Sequence, residues 1–170
     1  ISLLLAAAQA GSLPPANPLP PPSSEEAQVL EPISAVFAAL EAGDSAAFLR
    51  HVYPDGRITA VGTLPNGFSG VRSESFAAYA ARMSPTNGFI ERISSPAIEL
   101  DGDVAMVWTA FTIQRGEKIV SCGYDHFDLV REQGVWKIMT FILIPHQRLP
   151  RAMITSLLIA NRGEIACRII

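Results

Sequence analysis

One acidic residue stands out in the strand-like stretch GYDHFDL. Side chains alternate between two faces of a strand, so Asp125 shares its face with Phe127 and Leu129. Burying a carboxylate among apolar neighbours costs free energy unless the carboxylate is paired with another polar group or serves in binding or catalysis. Burial also raises its pKa. Asp125 is therefore a candidate general base or ligand acceptor. The alternative is a structural role, in which Asp125 accepts hydrogen bonds from a backbone amide or from Arg57 or Arg92.

Other site chemistries find little support in the sequence. The three histidines, His51, His126 and His146, lack metal-ligand spacing, and the two cysteines are far apart. The glycine-containing stretch 62–70 lacks the lysine of a phosphate-binding loop. The 13 Lys and Arg residues do not outnumber the 16 Asp and Glu residues, and the net charge is −3. We expect no metal, no cofactor and no nucleic-acid partner.

A meander of strands that follows three helices must position Asp125. The stretch Lys118–Leu143 predicts two strands joined by a polar turn that contains a glycine. Phe89–Leu100 and Val104–Gln114 predict two earlier strands of an antiparallel meander. We expect helices at Glu25–Gly43, Ser45–Val52 and Glu74–Met83, with Ser73 capping the last one. A short strand is expected at Arg57–Val61 and a loop at Thr63–Gly70. This order indicates an α+β fold with helices packed on one face of a curved sheet.

The first 24 residues look unlike a folded core. Residues 1–10, ISLLLAAAQA, form an apolar run with a small-x-small ending, which is typical of a secretory signal. The run is too short to span a bilayer, and a ragged apolar tail is the alternative. Residues 11–24, GSLPPANPLPPPSS, contain six prolines and predict an extended linker. We therefore expect an exported or periplasmic domain over residues 25–148, with no membrane span.

Three stretches of the chain carry a resemblance to a known superfamily. VFAALEAGDSAAFLRHVYPDGRITAVG, IELDGDVAMVWTAFTI and CGYDHFDLVREQGVWKIMTFIL resemble the opening, the central hairpin and the final hairpin of small bacterial proteins of the nuclear transport factor 2-like superfamily. The resemblance covers about residues 24–148. It implies a cone-shaped curved antiparallel sheet, wrapped by three N-terminal helices, with a pocket at the open end. The superfamily includes ketosteroid isomerases, polyketide cyclases and dehydratases, so the fold alone does not assign a function.

The end of the chain carries a second resemblance. Residues 153–170, MITSLLIANRGEIACRII, resemble the extreme N-terminus of a biotin carboxylase, the ATP-dependent subunit of acyl-CoA carboxylases. The resemblance implies a strand, a turn and the start of a helix, without any ATP-binding or carboxylating residue. A C-terminal helix of the first domain is the alternative. A secretory signal and a cytoplasmic carboxylase conflict, so we hypothesise a read-through or mispredicted join at Met153; a genuine tail would imply a cytoplasmic location.

The first resemblance implies that one face of the sheet lines the pocket. His51 and Tyr53 would then lie near its mouth, where His51 could orient Asp125 as a base. Alternatively, His51 caps the end of the second helix, where a cation is favourable. Trp108 and Tyr124 are candidate pocket walls, although plain core or helix-facing packing is the more frequent role of such residues. A one-residue slip of the strand register would exchange Asp125 for its sequence neighbours.

Two classes of function follow from these observations. One is a small exported domain whose pocket binds a small hydrophobic molecule, with no assignable activity. The other is a proton-transfer enzyme of the isomerase, cyclase or dehydratase type with Asp125 as base. Ketosteroid isomerases need a tyrosine and a second acid, and the sequence alone does not place that pair. The resemblance also implies a homodimer that forms through the outer sheet face, with Cys122, Tyr124 and His126 as contacts.

Overall fold

The computed structural model describes residues 23–63, 67–85 and 89–146. These residues contain three helices and six strands in a single sheet, which confirms the predicted α+β class with a curved sheet and helices on one face. The predicted secretory signal at 1–10, the linker through residue 22 and the carboxylase-like tail at 153–170 lie outside the described residues and stay predictions. None of the described helices is both long and apolar enough to cross a membrane.

Helix α1 spans Ser24–Ala42 and supplies much of the core. The Ser23 hydroxyl accepts a hydrogen bond from the Glu26 N–H, and the Glu26 carboxylate accepts one from the Ser23 N–H, which forms a capping box. Pro32 lies inside α1, and the helix continues through it. The helix ends at Gly43, whose φ of 68° is a left-handed conformation that glycine adopts without steric cost.

The region between α1 and the meander differs from the sequence-based prediction. Helix α2 is Ser45–Arg50, and strand β1 runs over Val52–Thr63, longer than expected. Strand β2, Ser69–Ser75, occupies residues predicted to form a loop end and a helix cap. Its serine-rich sequence has no apolar alternation, and its strand form depends on backbone pairing with β1. Helix α3 is consequently only Phe76–Ala80, capped by Ser75 instead of Ser73.

The predicted four-stranded meander is present. It consists of β3 (Phe89–Asp101), β4 (Val104–Arg115), β5 (Lys118–Glu132) and β6 (Val135–His146), each antiparallel to the next. The strand order in the sheet is β2-β1-β6-β5-β4-β3. The pairing of β1 with β6 is parallel, a feature that the sequence did not predict because it joins residues far apart in the chain.

The sheet has an inner face, which carries Asp125 and is turned toward the helices, and an opposite outer face. At one end of the inner face, Phe127 of β5 stacks on Phe141 of β6 with ring centroids 4.5 Å apart. Phe37 of α1 packs edge-on against both rings. Leu129 and Ile138 continue this core beneath α1 with no exposed surface. Because α1 covers this end, the opposite end of the inner face is left for a cavity.

Candidate functional site

A cavity of about 190 Å³ lies between the inner face and α3. Its floor is apolar and comes from β1 and β6, whereas its walls are polar and come from β2, α3 and β3. The floor residues are Ile58, Ala60, Phe141 and Leu143, and the wall residues are Arg72, Glu74, Tyr79, Arg82 and Glu91. An apolar floor with a few polar groups at the walls is the usual composition of a small-molecule site.

The register of the strands arranges these residues in rows that cross the sheet. Read from β2 to β5, the two rows are Arg72–Ala60–Leu143–Asp125 and Glu74–Ile58–Phe141–Phe127. The second row ends in the aromatic core. The row that begins at Arg72 lies one step farther along the strands and ends in Asp125, the acid that the sequence analysis singled out. Asp125 therefore lies at the boundary between the core and the cavity.

Asp125 is fully buried, and neither carboxylate oxygen has a hydrogen-bond partner among the described residues. The neighbouring Thr109 hydroxyl donates instead to the Ser94 carbonyl oxygen at 2.9 Å. The two arginines considered as partners lie elsewhere: Arg57 donates to the Ser73 hydroxyl and Arg92 to the Glu41 carboxylate. The structural alternative, in which Asp125 is satisfied by an amide or an arginine, therefore has no support in the contacts of this acid.

Glu91 of β3 is a second acid at this site, partly buried, which the sequence analysis missed. It lines the cavity, and its Oε1 atom is buried without a hydrogen-bond partner among the described residues. Burial raises the pKa of Glu91 to about 8. Burial also raises the pKa of Asp125, and the negative charge of Glu91 raises it further. Two carboxyl groups that cannot both ionise cheaply form a coupled pair, which holds a proton at neutral pH.

Tyr79 of α3 lies beside this pair. Burial raises the pKa of Tyr79 to about 12, and the charge of Glu91 contributes to the shift. The Arg82 guanidinium lies over the Tyr79 ring, 4.7 Å from its centroid. The phenol therefore stays protonated over the physiological range and is available as a hydrogen-bond donor at the cavity wall.

The structure does not bring His51 to Asp125. His51 ends α2, and its carbonyl oxygen accepts a hydrogen bond from the Ile138 N–H. Its neighbour Val52 pairs with Ile138, whereas Asp125 pairs with Leu143. Five residues along β6 separate the two positions, roughly 17 Å. The proposed base–orienter pair is therefore not formed.

The three residues expected to line the pocket lie elsewhere. Tyr53 follows His51 at the far end of β1. Trp108 and Tyr124 were wrongly expected at the cavity; they lie on the outer face, stacked with ring centroids 5.4 Å apart. The reason is the two-residue period of a strand: Thr109 and Asp125 pair on the inner face, so their immediate neighbours point outward.

One signal in the sequence could have found Glu91. In the stretch FIERISS, Glu91 lies on the same strand face as Ile93. It is therefore an acidic residue on an otherwise apolar face, which is the signal that singled out Asp125. The convergence of Glu91 with Tyr79 and Arg82 had no such signal, because it depends on how the sheet curves around α3. No group of three potential metal ligands occurs within the residues that the structure describes.

Comparison with known proteins agrees with this geometry. The family model described as "Putative lumazine-binding" matches residues 24–141. The chain belongs to this lumazine-binding-like family. No curated protein matches the sequence significantly.

Solved structures of similar fold include several nuclear transport factor 2-like proteins. One from Novosphingobium aromaticivorans, with a cystatin-like fold, has a TM-score of 0.60 and 14% identity over 75% of this chain and 85% of its own. A protein of unknown function from Nostoc punctiforme, with a cystatin-like fold, has a TM-score of 0.60 and 14% identity over 74% and 93%. One from Shewanella baltica, also of unknown function, has a TM-score of 0.54 and 16% identity over 72% and 94%. These matches confirm the predicted nuclear transport factor 2-like fold, whereas the carboxylase resemblance of the tail stays a prediction.

The coupled acids predict an unusual dependence of stability on pH. Between the usual glutamate pKa and about 8, the folded protein holds a proton on Glu91 that the unfolded chain has lost. The free energy of unfolding should therefore fall as pH rises through this window, by roughly 2 kcal/mol or more. Urea unfolding at several pH values measures the slope.

Two variants separate this effect from other titrations. Glu91→Gln should flatten the pH dependence, whereas Glu99→Gln, at an exposed position of the same strand, should retain it. Equal slopes for the wild type and Glu91→Gln would contradict the assignment of the effect to Glu91.

Proposed function

We propose that this nuclear transport factor 2-like domain binds a compact planar heterocycle of the lumazine type in the cavity between the inner face and α3. The observation that carries the proposal is the set of three buried carboxylate oxygens, two on Asp125 and one on Glu91, that lack hydrogen-bond donors among the described residues. Buried polar atoms without partners are rare in folded proteins because each one costs free energy. A ligand with ring N–H groups would supply the missing donors.

The cavity also suits the rest of such a molecule. Ile58, Phe141 and Leu143 provide an apolar floor for a planar ring, and Tyr79 adds a donor at the wall. The description of the family names lumazine, which is a flat pteridine that combines an aromatic face with N–H donors. Glu91 is the acid that lines the cavity, and Asp125 lies behind it, so we assign direct contact to Glu91 and electrostatic support to Asp125.

Lumazine binding tests this proposal directly. Titration of the protein with lumazine, followed by ligand fluorescence, should give saturable binding to the wild type. Above about pH 8, where Glu91 is ionised, Glu91→Gln should weaken binding about tenfold or more, because a neutral amide accepts a hydrogen bond from a ligand donor less strongly than a carboxylate does. Glu99→Gln serves as the matched control on the same strand and should bind as the wild type does. Absence of binding, or equal binding by the wild type and Glu91→Gln, would overturn the proposal.

A second candidate function is proton transfer on a small carbonyl compound. Glu91 has a pKa of about 8 and lies beside the Tyr79 phenol. A tyrosine and a second acid form the oxyanion hole of ketosteroid isomerases. In this chain Tyr79 would donate to an enolate oxygen, and ionised Glu91 would remove and return the carbon-bound proton. In this proposal the base is Glu91, which lines the cavity, and not Asp125, which does not line it.

Isomerisation of 3-cyclohexen-1-one to its conjugated isomer, measured by ultraviolet absorbance, examines this candidate. The rate should increase with pH through about 8, as Glu91 ionises. Glu91→Gln should lower the rate about a hundredfold or more, as is typical for loss of a general base. A wild-type rate no faster than the buffer reaction would leave binding as the function.

We further propose that the chain forms a homodimer through the outer face. Trp108, Tyr124, His126 and His146 form a connected aromatic cluster there, with centroid separations between 5.4 and 5.9 Å. Met106 on the same face is 43% exposed. Aromatic residues and methionine are enriched in interfaces between proteins.

A charge placed on this face should disrupt the dimer. Met106→Arg should weaken dimerisation at least about tenfold in sedimentation equilibrium, because removing a guanidinium from water in the interface costs free energy that the cross-strand neighbour Asp128 offsets only in part. Leu49→Arg, at a position of α2 with the same 43% exposure, is the control and should leave dimerisation unchanged. A monomeric wild type, or equal effects of the two variants, would contradict the proposed interface.

A further inference from the structure

The wall of the cavity opposite the buried acids is cationic. Arg72 of β2 and Arg82, just after α3, both line it, and Glu74 lies between them. Arg82 uses both Nε and Nη2 on the Glu74 carboxylate, with 3.3 Å between Nε and Oε2. This bidentate pair, together with the stacking on Tyr79, occupies Arg82.

Arg72 is less constrained than Arg82. Its Nε lies 3.8 Å from Glu74 Oε1, which is within ion-pair range but too long for a hydrogen bond. Two guanidinium groups thus share one carboxylate, and this wall carries one excess positive charge. The Arg72 side chain is 47% exposed, so it can reorient toward an incoming anion at low cost.

The register of the sheet sets these groups at opposite ends of one row. Arg72 pairs with Ala60, Ala60 with Leu143, and Leu143 with Asp125. Three strand spacings separate Arg72 from Asp125, roughly 14 Å along the sheet. The cationic Arg72 therefore lies at one end of the cavity, with Glu91 at the other end and Asp125 behind it, and apolar side chains lie between them.

We propose that the physiological ligand is amphoteric, with an anionic group such as a carboxylate bound by Arg72 and an N–H or O–H donor directed at Glu91 and Asp125. This inference rests on the proposed small-molecule site and adds the charge of its ligand. A neutral heterocycle satisfies only the acidic end. A molecule with an anion at one edge also satisfies the cationic end, and it would bind in a single orientation.

Lumazine and lumazine-6-carboxylate form a matched pair of probes for this proposal. At about pH 6.5, where the pKa of about 8 keeps Glu91 protonated, the carboxylate should bind roughly threefold to tenfold more tightly than lumazine. Arg72→Gln should abolish this preference, and an unchanged circular dichroism spectrum and melting temperature would report that the variant is folded. Arg92→Gln removes a half-exposed arginine that pairs with Glu41 outside the cavity, and it should retain the preference. Added salt should weaken binding of the carboxylate only.

The outcomes separate this inference from the proposed function. Equal affinity for the two probes, or a preference that survives in Arg72→Gln, overturns the amphoteric ligand and leaves the heterocycle site standing. Failure of both probes to bind overturns the site itself, and the charge assignment is lost with it.

Discussion

Strand β6 determines both the core and the cavity, because it is hydrogen-bonded on both sides. Its antiparallel pairing with β5 places Phe141 against Phe127 and Leu143 against Asp125. Its parallel pairing with β1 brings Ile58 and Ala60 alongside the same two residues. A shift of one residue in either ladder would turn these side chains to the outer face. The aromatic core under α1 therefore stabilises the register that also builds the floor of the cavity.

Two energetic environments meet on the inner face. Under α1, stacked and edge-on phenylalanines exclude water and contribute much of the stability. Beyond this core, two carboxylate oxygens of Asp125 and one of Glu91 are buried away from water, and no hydrogen bond from the described residues replaces the bonds lost to water. Such a pair opposes folding near neutral pH, so its cost must be offset by the neighbouring core. Groups that cost stability in this way are characteristic of binding and catalytic sites.

The two faces of the sheet carry different sets of side chains. The inner face presents apolar side chains to α1 and acids to the cavity, whereas the outer face carries Trp108, Tyr124 and two histidines in one aromatic cluster. Neighbouring residues of one strand, such as Tyr124 and Asp125, thus belong to different surfaces. The period of the strand would therefore separate the proposed ligand binding from the proposed association with a second chain, so that either could change without the other.

The sequence by itself determined the α+β class, the four-stranded meander and the inward position of Asp125. These features depend on local patterns: alternation along a strand, apolar spacing along a helix, and polar turns that contain glycine. Only the tertiary structure decided that β1 pairs with β6, that Ser69–Ser75 forms a strand, and that Glu91, Tyr79 and Arg82 surround one cavity. It also separated His51 from Asp125 and placed Trp108 and Tyr124 on the outer face. The physical reason is that a cavity is formed by residues distant in the chain, and their proximity depends on strand register and sheet curvature, which no local pattern encodes.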